Sequence, residues 1–409
     1  MSTGEPESEL GRAGRYVRQL TGYRAFIPAP LPPHPPINLA EGLAAKLSQA
    51  DVALGRLDGA IETLPHPELF TAMYVRREAV LSSQIEGTQA SLDDLVAAEA
   101  RLAGEAPVGD VGEVVNYVAA LRYGLSRLES LPISVRLLKE IHAILMNGVR
   151  GGGVLPGELR TTQNWIGASG ATLNDAVFVP PPPDVVPRAL GDLEKYLHTA
   201  DDLPLLVKIG LVHAQFETIH PFVDGNGRLG RLLITFLLCE RKVLSKPVLY
   251  ISLALKKRRT EYYERLQATR DEGRWEEWLS FFLEVVSEAS ADATMTAREV
   301  LRLREDHRGA IVATMGAQAA KALTILERLY QDPYLTVNAV ADRLKVTFPN
   351  ANMIISKMSE LGILMEMTGQ KRNRVFYYEP YIALFRGDSL TPRPPSPPTA
   401  PTGGRRFQL

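Results

Sequence analysis

The sequence predicts an all-α core that carries one small β-hairpin, followed by a smaller helical domain with a hairpin wing. Three observations carry that prediction. Apolar residues recur at three- and four-residue spacing through most of residues 37–286, as in helices with one buried face. Residues 229–242, Leu-Gly-Arg-Leu-Leu-Ile-Thr-Phe-Leu-Leu-Cys-Glu-Arg-Lys, are apolar nearly all round, which marks a helix inside a core. Two short β-prone runs, one at Trp165-Ile166-Gly167 and one ending at Phe178-Val179, enclose Gly/Ser/Asn-rich residues and read as a hairpin.

Bulk properties bound the rest. A chain of 409 residues holds about two or three domains at ~100–200 residues each. With 45% hydrophobic and 23% charged residues it can bury a large core. The net charge of −1 excludes a chain-wide electrostatic bias toward nucleic acid or membrane, though not a local patch. One cysteine, Cys239, excludes an internal disulfide framework, and its place on the apolar helix makes it a small core residue. There is no long apolar run and no basic-then-apolar leader, so the expected address is cytoplasmic, with no membrane partner.

Residues 1–36 are polar and then proline-rich (Pro28, Pro30, Pro32, Pro33, Pro35, Pro36), so a disordered start running into an extended polyproline arm is expected. Residues 37–130 read as an N-terminal helical region. Leu43, Leu47, Leu54, Leu57 and Ile61 lie at helical spacing until Pro65 and Pro67 interrupt the run. In the next helix Phe70, Met73, Arg77, Val80, Leu81 and Ile85 share a face, and Gly87 is a natural stop. Glu86 is then a carboxylate at a helix C-terminus, where the dipole disfavours it. A residue that breaks a local rule without local compensation is a candidate for work elsewhere in the fold. Val114, Val118, Leu121 and Leu125 form a further stripe, and Val135, Leu138, Ile141, His142 and Leu145 another, with His142 expected to be a satisfied core histidine.

After the glycine-rich loop from Gly151 and the hairpin, Leu205, Ile209, Val212, Phe216 and Ile219 predict a helix with one buried stripe. It ends at His220, because Pro221 disfavours helical dihedrals in the residue before it. The twelve residues His220-Pro-Phe-Val-Asp-Gly-Asn-Gly-Arg-Leu-Gly-Arg231 hold one imidazole, one carboxylate, three glycines and two guanidiniums. Gly225 and Gly227 allow positive φ and let backbone N–H groups converge on an anion, and the unpaired N–H groups of the following helix add to the same site. Arg228 and Arg231 share a face three residues apart, and cations in a first turn cost about 0.3–1 kcal/mol each unless an anion is near. A polyphosphate supplies that anion. Asp224 is a hard oxygen ligand of the kind Mg2+ uses beside substrate phosphates, and His220 can accept a proton from an attacking hydroxyl. No Gly-Lys-Ser/Thr follows the glycines, which excludes a Walker A loop.

These residues resemble the signature of the Fic (Fido) family, HxFx(D/E)GNGRxxR, with every position filled. The resemblance implies a Fic helical core over residues 131–286 and transfer of AMP from ATP to a protein hydroxyl. It makes His220 the general base, Asp224 the ligand of Mg2+ (or Mn2+), and Phe222 a core anchor. Gly225, Asn226 and Gly227 become the anion hole, Leu229 and Gly230 continue the nucleotide-binding segment, and Arg228 and Arg231 take the outer phosphates. Ser82-Ser-Gln-Ile-Glu86-Gly87 resembles the family's inhibitory motif (S/T)xxxE(G/N), by which Glu86 reaches Arg231 and keeps ATP from binding productively. The hairpin becomes the target-binding flap, with Trp165, Ile166, Gly167, Phe178 and Val179 holding a protein segment by strand addition. Tyr263 resembles a position at the adenine end of the nucleotide, although either tyrosine of the pair Tyr262–Tyr263 suits a core equally.

Beyond the core, Trp275, Trp278, Phe281 and Phe282 are expected packing aromatics, and residues 287–309 a linker helix. Residues 310–386 resemble a winged helix, with helices over 336–344 and 349–361 and a wing from Gly362 to Tyr378. Nine Lys/Arg against six Asp/Glu between Lys321 and Arg386 leave DNA contact through Asn350, Asn352, Lys357 and the wing arginines open beside homodimerisation or target docking. Residues 387–409 read as a disordered tail. Two function classes follow: a self-restrained protein adenylyltransferase, and a DNA-binding regulator whose Fic core binds nucleotide.

Overall fold

The computed structural model describes residues 11–40, 42–64, 67–101, 109–149, 155–167, 170, 172–370 and 373–386. The chain divides into two compact units, Met1–Asp306 and His307–Leu409. The expected tail at 387–409 lies outside the described residues, as do Lys371 and Arg372 at the wing tip.

The first unit opens with strands β1 (Gly14–Arg18) and β2 (Arg24–Pro28), paired antiparallel from Gly14 opposite Pro28 to Arg18 opposite Arg24. The hairpin stands within the stretch expected to be a disordered start running into an extended polyproline arm, of which residues 1–10 lie outside the described residues. The alternation that makes the hairpin is present in Tyr16-Val17 and Ala25-Phe26-Ile27, but the flanking prolines dominated the compositional reading. Ala25 and Phe26 are fully buried, Phe26 N–H donates to Val179 O at 2.9 Å, and Arg12 grips Glu276 with two bonds of 2.6 Å. Those tertiary partners, together with the cross-strand Tyr16–Phe26 ring contact at 5.0 Å, hold a two-stranded ribbon that would be marginal alone.

Helices α1 (Leu43–Glu62), α2 (Pro67–Ile85), α3 (Leu92–Arg101), α4 (Asp110–Arg127) and α5 (Val135–Leu145) follow, then α6 (Val186–His198), α7 (Leu205–Ile219) and α8 (Asn226–Glu240). α9 (Ser252–Lys257), α10 (Arg259–Glu272) and α11 (Trp275–Thr314) complete the helices that begin in this unit. α1 buries Leu43, Ala50, Leu54, Leu57 and Ile61, close to the face its spacing predicts. α7 departs from its predicted single stripe: Leu206, Val207 and every residue from Ile209 to Ile219 are buried. It packs against α1, α6, α8 and β2, so no face is left for solvent, and its polar side chains must find partners inside. Trp275, Trp278, Phe281 and Phe282 of α11 are buried as expected, and Trp278 Nε1–H donates to Gly210 O of α7 at 2.9 Å. The expected linker 287–309 is the later part of α11, not a separate element. Among the described residues no helix is long and apolar enough to cross a membrane.

The hairpin expected over residues 165–179 is seen only in part, since residues 168, 169 and 171 lie outside the described residues. Among the described residues its pairing is one antiparallel bridge, Ile166 to Phe178, with N–H···O distances of 2.8 and 3.1 Å.

The second unit contains α12 (Ala319–Leu329), β3 (Tyr334–Thr336), α13 (Val337–Leu344), α14 (Phe348–Glu360), β4 (Met365–Glu366), β5 (Val375–Tyr377) and α15 (Glu379–Ala383). Its antiparallel sheet has the order β3-β5-β4. Thr336 caps α13 by accepting from Ala339 N–H, and Ala351, Ile354, Ile355 and Met358 of α14 face a core shared with Tyr330, Tyr378 and Tyr381.

Candidate functional site

The site forms where α7 stops and α8 starts. His220 closes α7 in the left-handed region (φ 47°, ψ 61°), a conformation uncommon for a non-glycine residue and frequent at functional positions. The turn is locked by Asn226, whose Oδ1 accepts from Phe222 N–H and whose Nδ2 donates to Phe222 O, both at 2.9 Å. The Asn226 side chain is therefore taken up by the turn, and what it can offer to the expected anion hole is its backbone N–H. Gly225 precedes α8 with φ 77° and no side chain caps the helix. The N–H groups of Asn226, Gly227 and Arg228 consequently lack intrahelical partners, as at any helix start, and are available to an anion.

Gly227 was expected to need positive φ, but it is an ordinary helical residue. Close approach explains it instead, because an added Cβ would lie 2.1 Å from Glu86 Oε1 and 3.0 Å from Arg231 Nη1. Leu229 and Gly230 face inward: Leu229 is fully buried, and Gly230 O meets His213 Nδ1 at 3.0 Å.

Both arginines are buried, and each meets an acid from the N-terminal helices. Arg231 donates from Nε to Ser82 Oγ (2.8 Å) and from Nη2 to Ser82 O (2.9 Å) and Glu86 Oε1 (2.8 Å). α2 delivers these groups: Ser82 lies in its last turn, and Glu86 follows its end, just before Gly87 at φ 105°. Partial burial opposes the charge on Glu86, but Arg231 and then Arg228 outweigh it and hold the carboxyl below its usual range. Arg228 donates from Nη1 to Glu113 Oε2 at 2.9 Å and places Nη2 3.6 Å from Asp224 Oδ1. Sequence reasoning missed Glu113, because an acid in the first turn of α4 looks like ordinary dipole compensation.

Three further residues that went unnoticed surround His220. Arg160 is buried and donates to His220 O at 2.9 Å from Nε. Arg270 donates to Thr218 Oγ1 (3.2 Å) and Glu217 O (3.3 Å) and lies over the Phe178 ring at 3.8 Å, linking α10, the end of α7 and the flap. Burial, then Arg270, push the His220 pKa down to about 4 against the opposing pull of Glu86, so the imidazole is neutral at pH 7 and its Nδ1 is buried with no partner among the described residues. Glu217 is buried beneath Arg231, and burial lifts its carboxyl to about 7. No local pattern marks these residues, since each acts through a partner distant in sequence.

Phe222 is the expected anchor, stacked on His142 at 3.8 Å. His142 is satisfied as predicted: Nδ1 accepts from Gly157 N–H at 2.9 Å, which leaves the Nε2 proton for Asp224 O at 3.0 Å. Asp224 presents a carboxylate 54% exposed, one oxygen accepting from Gly225 N–H at 2.5 Å. Among the described residues no three acidic, His or Cys side chains could hold a metal together. One hard, half-open carboxylate fits a divalent cation of the Mg2+ type, which shares its coordination with phosphates and water. The paired tyrosines separate: Tyr262 is buried with its hydroxyl 3.0 Å from His213 Nε2, whereas Tyr263 is 39% exposed. The flap begins beside the site, where Asn164 Nδ2 donates to Phe222 O at 2.9 Å, and Trp165 next to it is exposed while Phe178 is buried.

The family model described as Fic/DOC family N-terminal matches residues 44–126, and the one described as Fic/DOC family matches residues 132–238. A probable protein adenylyltransferase of Aquifex aeolicus is 30% identical over 184 residues, 44% of this chain and 52% of that protein. A protein adenylyltransferase of Caenorhabditis elegans is 30% identical over 159 residues, 38% of this chain and 28% of that protein. The chain thus spans about half the length of the first curated relative and under a third of the second. The crystal structure of a Fic family protein from Desulfovibrio desulfuricans G20 shares the fold with a TM-score of 0.53 at 20% identity, covering 84% of this chain and 97% of that one. The N-terminal helices that supply Glu86 and Glu113 thus lie within the match to the Fic/DOC family N-terminal model, and the turn that supplies His220, Arg228 and Arg231 lies within the match to the Fic/DOC family model.

Proposed function

We propose that the chain is a protein adenylyltransferase that transfers AMP from ATP to a Tyr, Ser or Thr hydroxyl of a protein, itself included, and that Glu86 restrains it by occupying Arg231. One observation carries this reading: two buried guanidiniums at an uncapped helix start are each held by a carboxylate from outside that helix, beside a neutral imidazole. The adenylyltransferase names of the relatives agree with it.

In the proposed reaction the hydroxyl oxygen attacks the α-phosphorus. The new P–O bond forms as the bond from that phosphorus to the bridging oxygen of the β-phosphate breaks, and diphosphate leaves. His220 takes the hydroxyl proton, with Arg160 and Arg270 fixing the end of α7 that carries it. The first-turn N–H groups of α8 receive phosphate oxygens, and Arg231 takes the outer phosphate once Glu86 has left. A divalent cation at Asp224 would neutralise phosphate charge. Tyr263 lines the adenine end, and the flap holds the target strand near Trp165. The site is assigned to a cytoplasmic enzyme, with a homodimer a further partner state.

A second reading has its own support in the winged-helix-like unit. Phe348, Asn350 and Met353 leave the outer face of α14 exposed, and Arg374 bonds Asn352 from the wing side. That face suits a DNA groove, and a basic wing would supply phosphate contacts. Anisotropy of a labelled duplex, read at two salt concentrations, tests it: salt-dependent binding supports DNA contact, and none at low salt removes it.

The enzyme reading is tested with ATP labelled on the α-phosphate, Mg2+ and Glu86→Gly protein in a cell lysate. Label on protein is expected, falling about 10²–10⁴-fold in Glu86→Gly/His220→Ala. Absence of label, or label that survives loss of His220, rejects the reading.

A further inference from the structure

The two arginines of the phosphate-binding turn are engaged separately, by two acids that stand on different helices. Arg231 meets Glu86 at the end of α2, and Arg228 meets Glu113 in the first turn of α4. Neither guanidinium is open: their side chains are 3% and 1% exposed, so an incoming anion has to replace the acid already there. Arg228 has little else to satisfy it. Its Nε is buried with no partner among the described residues, and its Nη2 sees only Met146 Sδ and Asp224 Oδ1, each at 3.6 Å.

Glu113 also reaches the segment that carries Glu86. Thr88 Oγ1 donates to the same Glu113 Oε2 that accepts from Arg228, at 3.5 Å. One helical turn earlier on α4, Asp110 Oδ2 accepts from Gln89 N–H at 2.7 Å. The turn after Glu86 is therefore stitched to α4, and the carboxylate of Glu113 is the atom group shared by that turn and by Arg228.

Resting on the adenylyltransferase reading above, we propose that Glu113 is a second restraining acid, so that the nucleotide site is closed at two points and ATP must displace both Glu86 from Arg231 and Glu113 from Arg228. Removing Glu86 alone then leaves the site half-closed. Arg228 stays neutralised, the turn at Thr88 stays tied to α4, and the outer phosphates find one free guanidinium. Removing both acids frees the pair. The effects are cooperative, because Thr88 and Glu113 couple the position of one acid to the other.

The test measures equilibrium binding of MgATP to the full chain in four forms: native, Glu86→Gly, Glu113→Gln and the double variant. Glu113→Gln is expected to tighten binding several-fold alone and about tenfold in the Glu86→Gly background, within the usual span of a coupling between sites. Gain of affinity is a readout that a damaged fold does not produce. Glu113→Asp, which keeps the charge and the helix-start acid but withdraws the carboxylate by one methylene, is expected to act in the same direction and decides the matter should the Gln variant fail to fold. Unchanged or weakened binding in the Asp form, or in a folded Gln form, overturns the proposal by making Glu113 a positioning group for Arg228. Absence of MgATP binding in all four overturns it too. Binding in the double variant without transfer of labelled AMP would leave the two-point closure standing and reject only the enzymatic reading.

Discussion

His220 combines a left-handed backbone with a pKa pushed down to about 4 by burial and Arg270. A base with that value stays unprotonated through the neutral range, so kcat/KM of the Glu86→Gly protein is expected to be level from pH 5 to 8. An acid limb near ~6.5, the ordinary histidine value, would contradict the electrostatic environment described for it. Glu78 and Glu217 show the opposite effect, each lifted by burial from an ordinary 4.5 to about 7. The folded state then binds protons that the unfolded chain releases between these values, so their contribution makes stability fall as pH rises from about 5 to 8. Melting curves of Glu217→Gln should show a weaker fall across that window than the native chain, and an identical fall would deny Glu217 its raised pKa. Residue-scale chemistry was only half legible in the sequence. The turn spells out His220, Asp224 and the arginines because they are contiguous, while Glu113, Arg160 and Arg270 belong to the site through contacts 115, 60 and 52 residues away.

At the scale of elements, the site depends on how closely α7 and α8 approach. A Cβ at Gly230 would lie 2.4 Å from Glu217 Oε1 and 3.2 Å from Phe216 Cδ1, so Gly230→Ala is expected to cost about 1–3 kcal/mol, read as a lower denaturant midpoint. No change would mean that the helices can separate without penalty. The flap is braced from behind by the N-terminal hairpin, through Phe26 N–H to Val179 O and the Phe26–Phe178 ring contact at 5.9 Å. Phe26→Ala removes a fully buried ring and should destabilise the hairpin by about 3–5 kcal/mol, seen as faster amide exchange in residues 14–28 and in the flap. Exchange limited to the hairpin would uncouple the flap from it. Helical spacing gave α1 and α5 directly, since each buries one face, and under-read α2, which buries every residue from Met73 to Val80. It under-read α7, whose burial on all sides comes from neighbours that periodicity cannot represent, and it missed β1 and β2, whose own pairing is completed by the distant partners Val179 and Glu276.

Over the whole molecule, the chain joins a Fic unit to a second unit that has its own core of Tyr330, Tyr378, Tyr381 and the buried face of α14. Residues 307–386 expressed alone are expected to melt cooperatively, and a non-cooperative circular-dichroism trace would show that this core is insufficient. In the proposed function of the first unit, the Glu86 carboxylate delivered by α2 to Arg231 stands where an outer phosphate of ATP would bind. Calorimetric titration of MgATP into the native chain and into Glu86→Gly tests it most directly. Binding at least about tenfold tighter in the variant is the expected result, and equal affinity in the two would show that Glu86 does not guard Arg231.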